Sequence, residues 1–328
     1  MKAKRILVTG GAGFVGNHLI DELLRQEYQV DVFDCAPLEK ARSLEQAKTN
    51  SRFSYFQGDI RDKAALAKAF HAETSMVFHL ASIVGVNKYM EDPLGLIDIT
   101  IGGTRAVAEL AMERKAKMVF TSTSEVFGKN PNIPWTEESD RVLGPTSVDR
   151  WSYSTSKATC EHILHALHRH KGLDMTIVRY FNAYGPRQSP IFVVSQSVKR
   201  ALKGEAPYLY DGGEQTRCFT YIEDAVRGTI MAGMDPKANG ESFNIGNDKE
   251  ITMKEAVELV LRFSGSSLKP SPIDTGVKYG KVYEDIPRRV PSNEKARSVL
   301  GWRIQVPHEE GIRRTVEWAK ANPWWLET

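Results

Sequence analysis

Three features of this 328-residue chain predict an α/β fold: a doubly wound parallel sheet with a smaller, discontinuous α/β lobe. An apolar strand at Arg5–Thr9 runs directly into a glycine turn and a helix start. Short apolar segments then alternate with helical ones to about residue 180. The alternation breaks at Tyr184-Gly185-Pro186-Arg187, and composition shifts from there on.

Strands are expected at 5–9, 30–34, 53–57, 76–79, 117–121 and 175–180, with helices near 14–26, 62–71, 102–114 and 153–171. Such alternation implies parallel strands, right-handed crossovers and helices on both faces. A helix near 191–203 and a hairpin-like segment around Asp211-Gly212-Gly213 follow. Segments 221–233 and 243–245 return to the sheet, while helix 252–264 and the Pro-rich stretch 270–291 leave it again. A tail helix at 309–320 and the pair Trp324-Trp325 are expected to pack on the smaller lobe. The expected division is 1–180 plus about 221–250 against 181–220 plus about 251–328. Ligands of open α/β sheets sit beyond the carboxyl ends of the strands, where the second unit would form a cleft.

Composition narrows the function. Hydrophobic residues make up 41% and charged residues 26%, ordinary for a globular chain. A net charge of +3 does not suit a nucleic-acid or membrane-surface protein. No apolar run reaches membrane-spanning length, and with a strand from residue 5 no secretory leader is expected. Cys35, Cys160 and Cys218 are odd in number and lack metal-ligand spacing, which points to a reducing cytoplasm.

The turn carries Gly10, Gly13 and Gly16. At this spacing the first glycine permits the tight turn, the second lets backbone approach a pyrophosphate, and the third packs helix against strand. The helix opened by Phe14 and Val15 then points its N–H groups at the anion. Asp34 ends the second strand, eighteen residues past Gly16, where a carboxylate accepts the adenosine ribose hydroxyls. It would repel a 2′-phosphate, and no Arg or Lys follows it directly, so NAD is expected over NADP. Turn capping is the structural alternative for Asp34.

Tyr153 and Lys157 are four apart, on one face of a helix. A nearby ammonium is expected to lower the phenol's pKa and make Tyr153 a base toward a sugar or alcohol hydroxyl. Upstream, a strand ends in Thr121-Ser122-Thr123-Ser124-Glu125. Thr123 is placed to hydrogen-bond the reacting hydroxyl, and Glu125 to serve as a second acid or base. The structural alternative is a Ser/Thr-rich turn.

Gly58-Asp59-Ile60, His79-Leu80-Ala81-Ser82 and Arg179-Tyr180-Phe181-Asn182 join these motifs in order. Together they resemble the extended short-chain dehydrogenases/reductases, and within them the NAD-dependent nucleotide-sugar epimerases, dehydratases and decarboxylases, from about residue 4 to 320. The resemblance implies that Asp59 and Ile60 flank the adenine and that Leu80, Ala81 and Ser82 line the cofactor. It implies catalysis by Thr123, Tyr153 and Lys157, with Ser124 and Glu125 beside them. Val86, Asn182, Arg187, Arg217 and Arg289 would hold a nucleotide sugar, most naturally a UDP-sugar. Guanidinium groups suit a diphosphate, although a surface ion pair is the alternative for either Arg217 or Arg289. Thr100 stands where many relatives have Asn. A homodimer built on the helices near 104–114 and 153–171 is also implied.

The resemblance leaves the reaction open. All members start by oxidising C4 of the sugar. Dehydratases carry Asp-Glu after the catalytic Thr, whereas this chain has Ser124. Thr123-Ser124-Glu125 and Tyr279-Gly280-Lys281 before Arg288-Arg289-Val290-Pro291-Ser292 are similar to uronate decarboxylases. The short Gly185-Pro186-Arg187-Gln188 loop is closer to 4-epimerases, including those acting on hexuronates. A 4-epimerase is therefore the first expectation, a UDP-glucuronate decarboxylase the second and a 4,6-dehydratase the third. A catalytically silent NAD sensor is disfavoured because Thr123, Tyr153 and Lys157 are all kept. His162, His165, His168 and His170 share a helix with Glu161, but no second ligand segment accompanies them and no metal is expected.

Overall fold

The computed structural model describes residues 4–85, 88, 91–279 and 286–328. Its main sheet has seven strands: β1 (Arg5–Thr9), β2 (Gln29–Asp34), β3 (Phe53–Gln57), β4 (Thr74–His79), β5 (Lys117–Thr123), β6 (Met175–Tyr180) and β7 (Ser242–Ile245). They run in the order β7-β6-β5-β4-β1-β2-β3, every neighbouring pair parallel. The strands are apolar because both faces are covered. Ile6 and Val8 face one core with Leu19 and Ile20, while Leu7 faces another with Leu66, Val107 and Leu164. The helices that cover these faces are α1 (Phe14–Arg25), α2 (Lys63–Ala69), α3 (Gly103–Arg114), α4 (Arg150–Lys171) and, later in the chain, α6 (Ile222–Met234).

The expected doubly wound sheet is therefore present, with one shift that matters: α4 starts at Arg150, a turn earlier than expected. Inside the sheet, His79 bridges Thr9 (2.7 Å) and Thr104 (3.1 Å). Burial, helped by the charge of Lys157, lowers its pKa to about 3, so it is a neutral core residue.

The later segments form three two-stranded sheets beside the large one. The hairpin expected around Asp211-Gly212-Gly213 is not formed. Tyr208–Tyr210 pairs with Ser271–Ile273, and Thr216–Arg217 pairs with Ile251–Thr252. Gly212 and Gly213 both have positive φ within a 3-10 turn, which sends the flanking strands to distant partners rather than to each other. Helices α5 (Val193–Leu202), α7 (Met253–Ser264) and α8 (His308–Ala321) pack together. Trp325 lies in the same apolar cluster as Ile6, and its indole N–H donates to the Gln188 carbonyl at 2.9 Å. No helix among the described residues is long and apolar enough to cross a membrane.

The glycine turn depends on backbone-to-backbone contact. A Cβ on Gly16 would lie 2.4 Å from the Gly10 carbonyl oxygen and 2.7 Å from Gly11 Cα. Backbone cannot swing aside as a side chain can. Gly16→Ala is expected to destabilise the fold by about 1–3 kcal/mol, read as a lower denaturation midpoint in urea.

Candidate active site

The glycine turn, Asp34, Leu80 and Thr123 all lie at the carboxyl ends of parallel strands of the main sheet. Gly10 has φ +73°, donates its N–H to the Phe33 carbonyl at 2.9 Å, and has no room for a Cβ beside Ala81 N at 2.6 Å. That contact places Leu80 and Ala81, at the exit of β4, against the turn. Gly13 differs: its missing Cβ would meet nothing closer than the Gly10 carbonyl oxygen, at 3.2 Å. Gly13 is also the N-cap of α1, with no capping side chain, so the N–H groups at Phe14 and Val15 open the helix uncapped. This concave, uncapped helix end fits a pyrophosphate.

Asp34 makes the capping contacts of the structural alternative. Its Oδ1 accepts Ala36 N–H and its Oδ2 accepts Ala12 N–H, each at 2.9 Å. The carboxylate is thereby fixed beside the glycine turn with lone pairs left for hydroxyl donors. Asp59 instead holds Arg61 at 2.6 Å on the surface. Ile60 is buried against Gly103, where a Cβ would lie 2.6 Å away, so its first role is to seat α3. Ser82 lies 3.3 Å from Thr100. Thr100 is buried at the entry to α3, which is consistent with a local structural role at that position.

At the end of β5, Thr123 caps the short turn Ser124–Phe127 by accepting Glu125 N–H at 3.2 Å. Its hydroxyl also hydrogen-bonds Tyr153. Ser124, Glu125, Tyr153 and Lys157 are all buried. The expectation that Lys157 lowers the Tyr153 pKa is not met in this structure. Burial above all, and then the charge of Glu125, push the phenol upward, and the Thr123 hydrogen bond only partly opposes them. Lys157 is turned into β5: its Nζ donates to the Thr121 carbonyl at 2.8 Å and lies 4.7 Å from the Phe120 ring centroid. Burial brings this ammonium down to about 8.

Glu125 is the electrostatic centre of the site. Arg289 Nη1 contacts Oε1 at 3.1 Å, and Arg150 Nη2 lies 3.6 Å from Oε2. Arg289 is carried by a strap braced along Trp135. Trp135 N–H donates to the Val290 carbonyl at 2.8 Å, and Ser292 N–H donates to the Trp135 carbonyl at 2.7 Å. Arg289 Nε is buried and has no hydrogen-bond partner among the described residues. Asn182 has φ +42° and a buried Oδ1 that is likewise unmatched among the described residues. Arg217 is buried, with Nη1 on the carbonyls of Thr216 (2.8 Å) and Pro287 (3.3 Å).

Arg187 requires a correction. Its guanidinium engages Asp21 (2.7 Å), His18 (2.9 Å) and the Ser43 carbonyl (3.0 Å), tethering its loop to α1. These three contacts give it a structural role among the described residues. Val86, Gly280 and Lys281 lie outside the described residues. The helical histidines diverge: His165 lies 3.4 Å from Ser242, and His168 contacts the Leu173 carbonyl at 2.8 Å. No metal-binding group occurs among the described residues. Glu161 forms a buried pair with Arg179 at 2.6 Å instead. Sequence reasoning missed Arg150 and the Trp135 brace. The signal for Arg150 was its place three residues before Tyr153, on the same helix face.

Residues 6–246 match the model of the NAD dependent epimerase/dehydratase family. The chain belongs to this family. It is 38% identical, over 96% of its length and 97% of the relative's, to a UDP-N-acetyl-alpha-D-glucosaminuronate decarboxylase of Bacillus cytotoxicus. It is 32% identical to UDP-glucuronic acid decarboxylase 1 of Xenopus tropicalis, covering 96% of this chain and 72% of that one. The UDP-glucose 4-epimerase of Thermus thermophilus, solved in complex with NAD, superposes with a TM-score of 0.84 at 28% identity, covering 97% of this chain and 99% of that one. The family member is an NAD-dependent enzyme of the nucleotide-sugar epimerase, dehydratase and decarboxylase group, and its glycine turn and Asp34 fit the cofactor.

Two outcomes test the site. Gly13→Ala is expected to lower NAD affinity at least about tenfold by equilibrium dialysis, because the new methyl occupies the phosphate cradle. Its urea midpoint should move less than that of Gly16→Ala, whose Cβ meets backbone at 2.4 Å rather than 3.2 Å. Lys157 gives the second. Its folded value of about 8 lies below the ordinary 10.5, so the unfolded chain binds more protons between those pH values. Stability therefore gains from this group as pH rises through that window. The unfolding free energy of wild type minus Lys157→Met should increase from pH 8 to 10.5, and a flat difference contradicts the buried ammonium.

Proposed function

We propose that the enzyme decarboxylates a UDP-linked hexuronate, with or without a 2-acetamido group, to the corresponding pentose. One observation carries this reading: Arg289, buried, rests on Glu125 beside Tyr153 and keeps Nε unmatched among the described residues. A buried guanidinium with a spare donor suits a sugar carboxylate, whereas a neutral hexose offers no charge to hold it. The names of two relatives, each a uronate decarboxylase, support the same reading.

The case for a 4-epimerase rested on the Gly185-Pro186-Arg187-Gln188 loop. Arg187 is spent on Asp21 and His18, and Gln188 donates to the Ala183 carbonyl, so the loop reports packing rather than reaction. Dehydration would need an acid at Ser124, a buried hydroxyl.

When bound, NAD would supply a positive charge that favours the phenolate and a reversible acceptor for the C4 hydride, which would leave the overall reaction redox-neutral. Tyr153 takes the O4 proton, guided by its hydrogen bond to Thr123. The resulting 4-keto hexuronate is a β-keto acid. The C5–C6 bond breaks, carbon dioxide leaves, and the electron pair enters an enolate with its charge on O4. Tyr153 and Thr123 stand at that oxygen, and C5 regains its proton from solvent. Tyr153 gives its proton back to O4 as C4 is reduced again.

Incubation with UDP-glucuronate and UDP-N-acetylglucosaminuronate, with products resolved by NMR, tests this. Carbon dioxide and a UDP-pentose from at least one of them are expected. A C4-inverted hexuronate without carbon dioxide sinks the proposal in favour of epimerisation. Tyr153→Phe should lower turnover by at least about 10²-fold while NAD still binds. Arg289→Met should lower carbon dioxide release about as far.

A further inference from the structure

Arg150 has no role in the account above, yet it is 1% exposed and opens α4. A cation in the first turn of a helix opposes the helix dipole, and burial adds desolvation. Its position is therefore costly unless a specific anion is matched there. Glu125 is that anion: Arg150 Nη2 lies 3.6 Å from Oε2, while Arg289 contacts Oε1 at 3.1 Å. The two guanidinium groups come from different segments and take different oxygens. Together they place a positive charge beside each oxygen of the carboxylate. Arg150, Tyr153 and Lys157 also follow one another at helical spacing, so a single helix face holds the cation that orients Glu125 and the phenol that Glu125 influences.

We propose that Arg150 is a positioning residue: it does not touch the sugar but holds Glu125 in line with Tyr153, and Arg289 is left to meet the substrate carboxylate. The kinetic half of this inference rests on the decarboxylase reading. The structural half, an energetic coupling between Arg150 and Glu125, does not.

The simplest rival is that Arg150 serves only as packing for Trp151, whose ring centroid lies 5.6 Å from its guanidinium carbon. A double-mutant cycle separates the two. Urea unfolding of the full-length wild type, Arg150→Met, Glu125→Gln and the double variant requires no activity. A positioning pair should show coupling of at least about tenfold in the folding equilibrium constant. Additive effects overturn the proposal.

The kinetic arm follows carbon dioxide release from the hexuronate that wild type accepts. Arg150→Met should lower kcat about 10–100-fold, the scale set by a small misplacement of a reacting group, with KM within about threefold. In the Glu125→Gln background the same change should cost little more. A raised KM with unchanged kcat would mean that Arg150 binds substrate directly, and overturns the positioning role. If wild type releases no carbon dioxide from either hexuronate, the decarboxylase reading fails, while the unfolding cycle still decides whether Arg150 and Glu125 are coupled.

Discussion

A single buried carboxylate, Glu125, organises the catalytic edge of this enzyme. It lies just past the end of β5 and is met by Arg289 from the late strap and by Arg150 from the start of α4. Three parts of the chain far apart in sequence are thereby held in one place. Buried charges of this kind contribute little net stability, because desolvation offsets much of their attraction. They do impose arrangement: removing one partner leaves the others charged and dry. The carboxylate also influences chemistry at a distance, since its charge helps hold the Tyr153 phenol protonated.

Much of the fold was legible in the sequence. Central parallel strands are covered on both faces, so their apolar runs stand out, and glycines at 10 and 16 are required by contacts that only backbone can make. The seven-stranded sheet follows from those signals. The region after residue 181 was less legible for a physical reason. The strands of its small sheets are two or three residues long and pair with distant partners, so no local periodicity announces them. The turn at Asp211-Gly212-Gly213 has the composition of a hairpin, but its flanking strands find other neighbours.

The site was legible in part. Thr123, Glu125 and Tyr153 converge as expected because one strand end and one helix face bring them together. Helical spacing alone could not say that Lys157 turns toward the Thr121 carbonyl, a choice made by the neighbouring strand. Nor could the loop sequence reveal that Arg187 has a carboxylate waiting on α1. Arg150 escaped notice because a cation at a helix start usually signals a solvated surface, and only the fold shows that this one is enclosed.

The brace between Trp135 and Pro291 has an evolutionary consequence. Its ladder-like bonds at Val290 and Ser292 set the side on which Arg289 emerges, because neighbouring residues of an extended chain face opposite ways. Insertion of a single codon between Arg289 and Val290 would turn the guanidinium to the opposite side of the strap while leaving the apolar interior intact. A change of length is therefore least tolerable from Arg289 to Ser292, where one added residue reverses the facing of the side chain that meets Glu125.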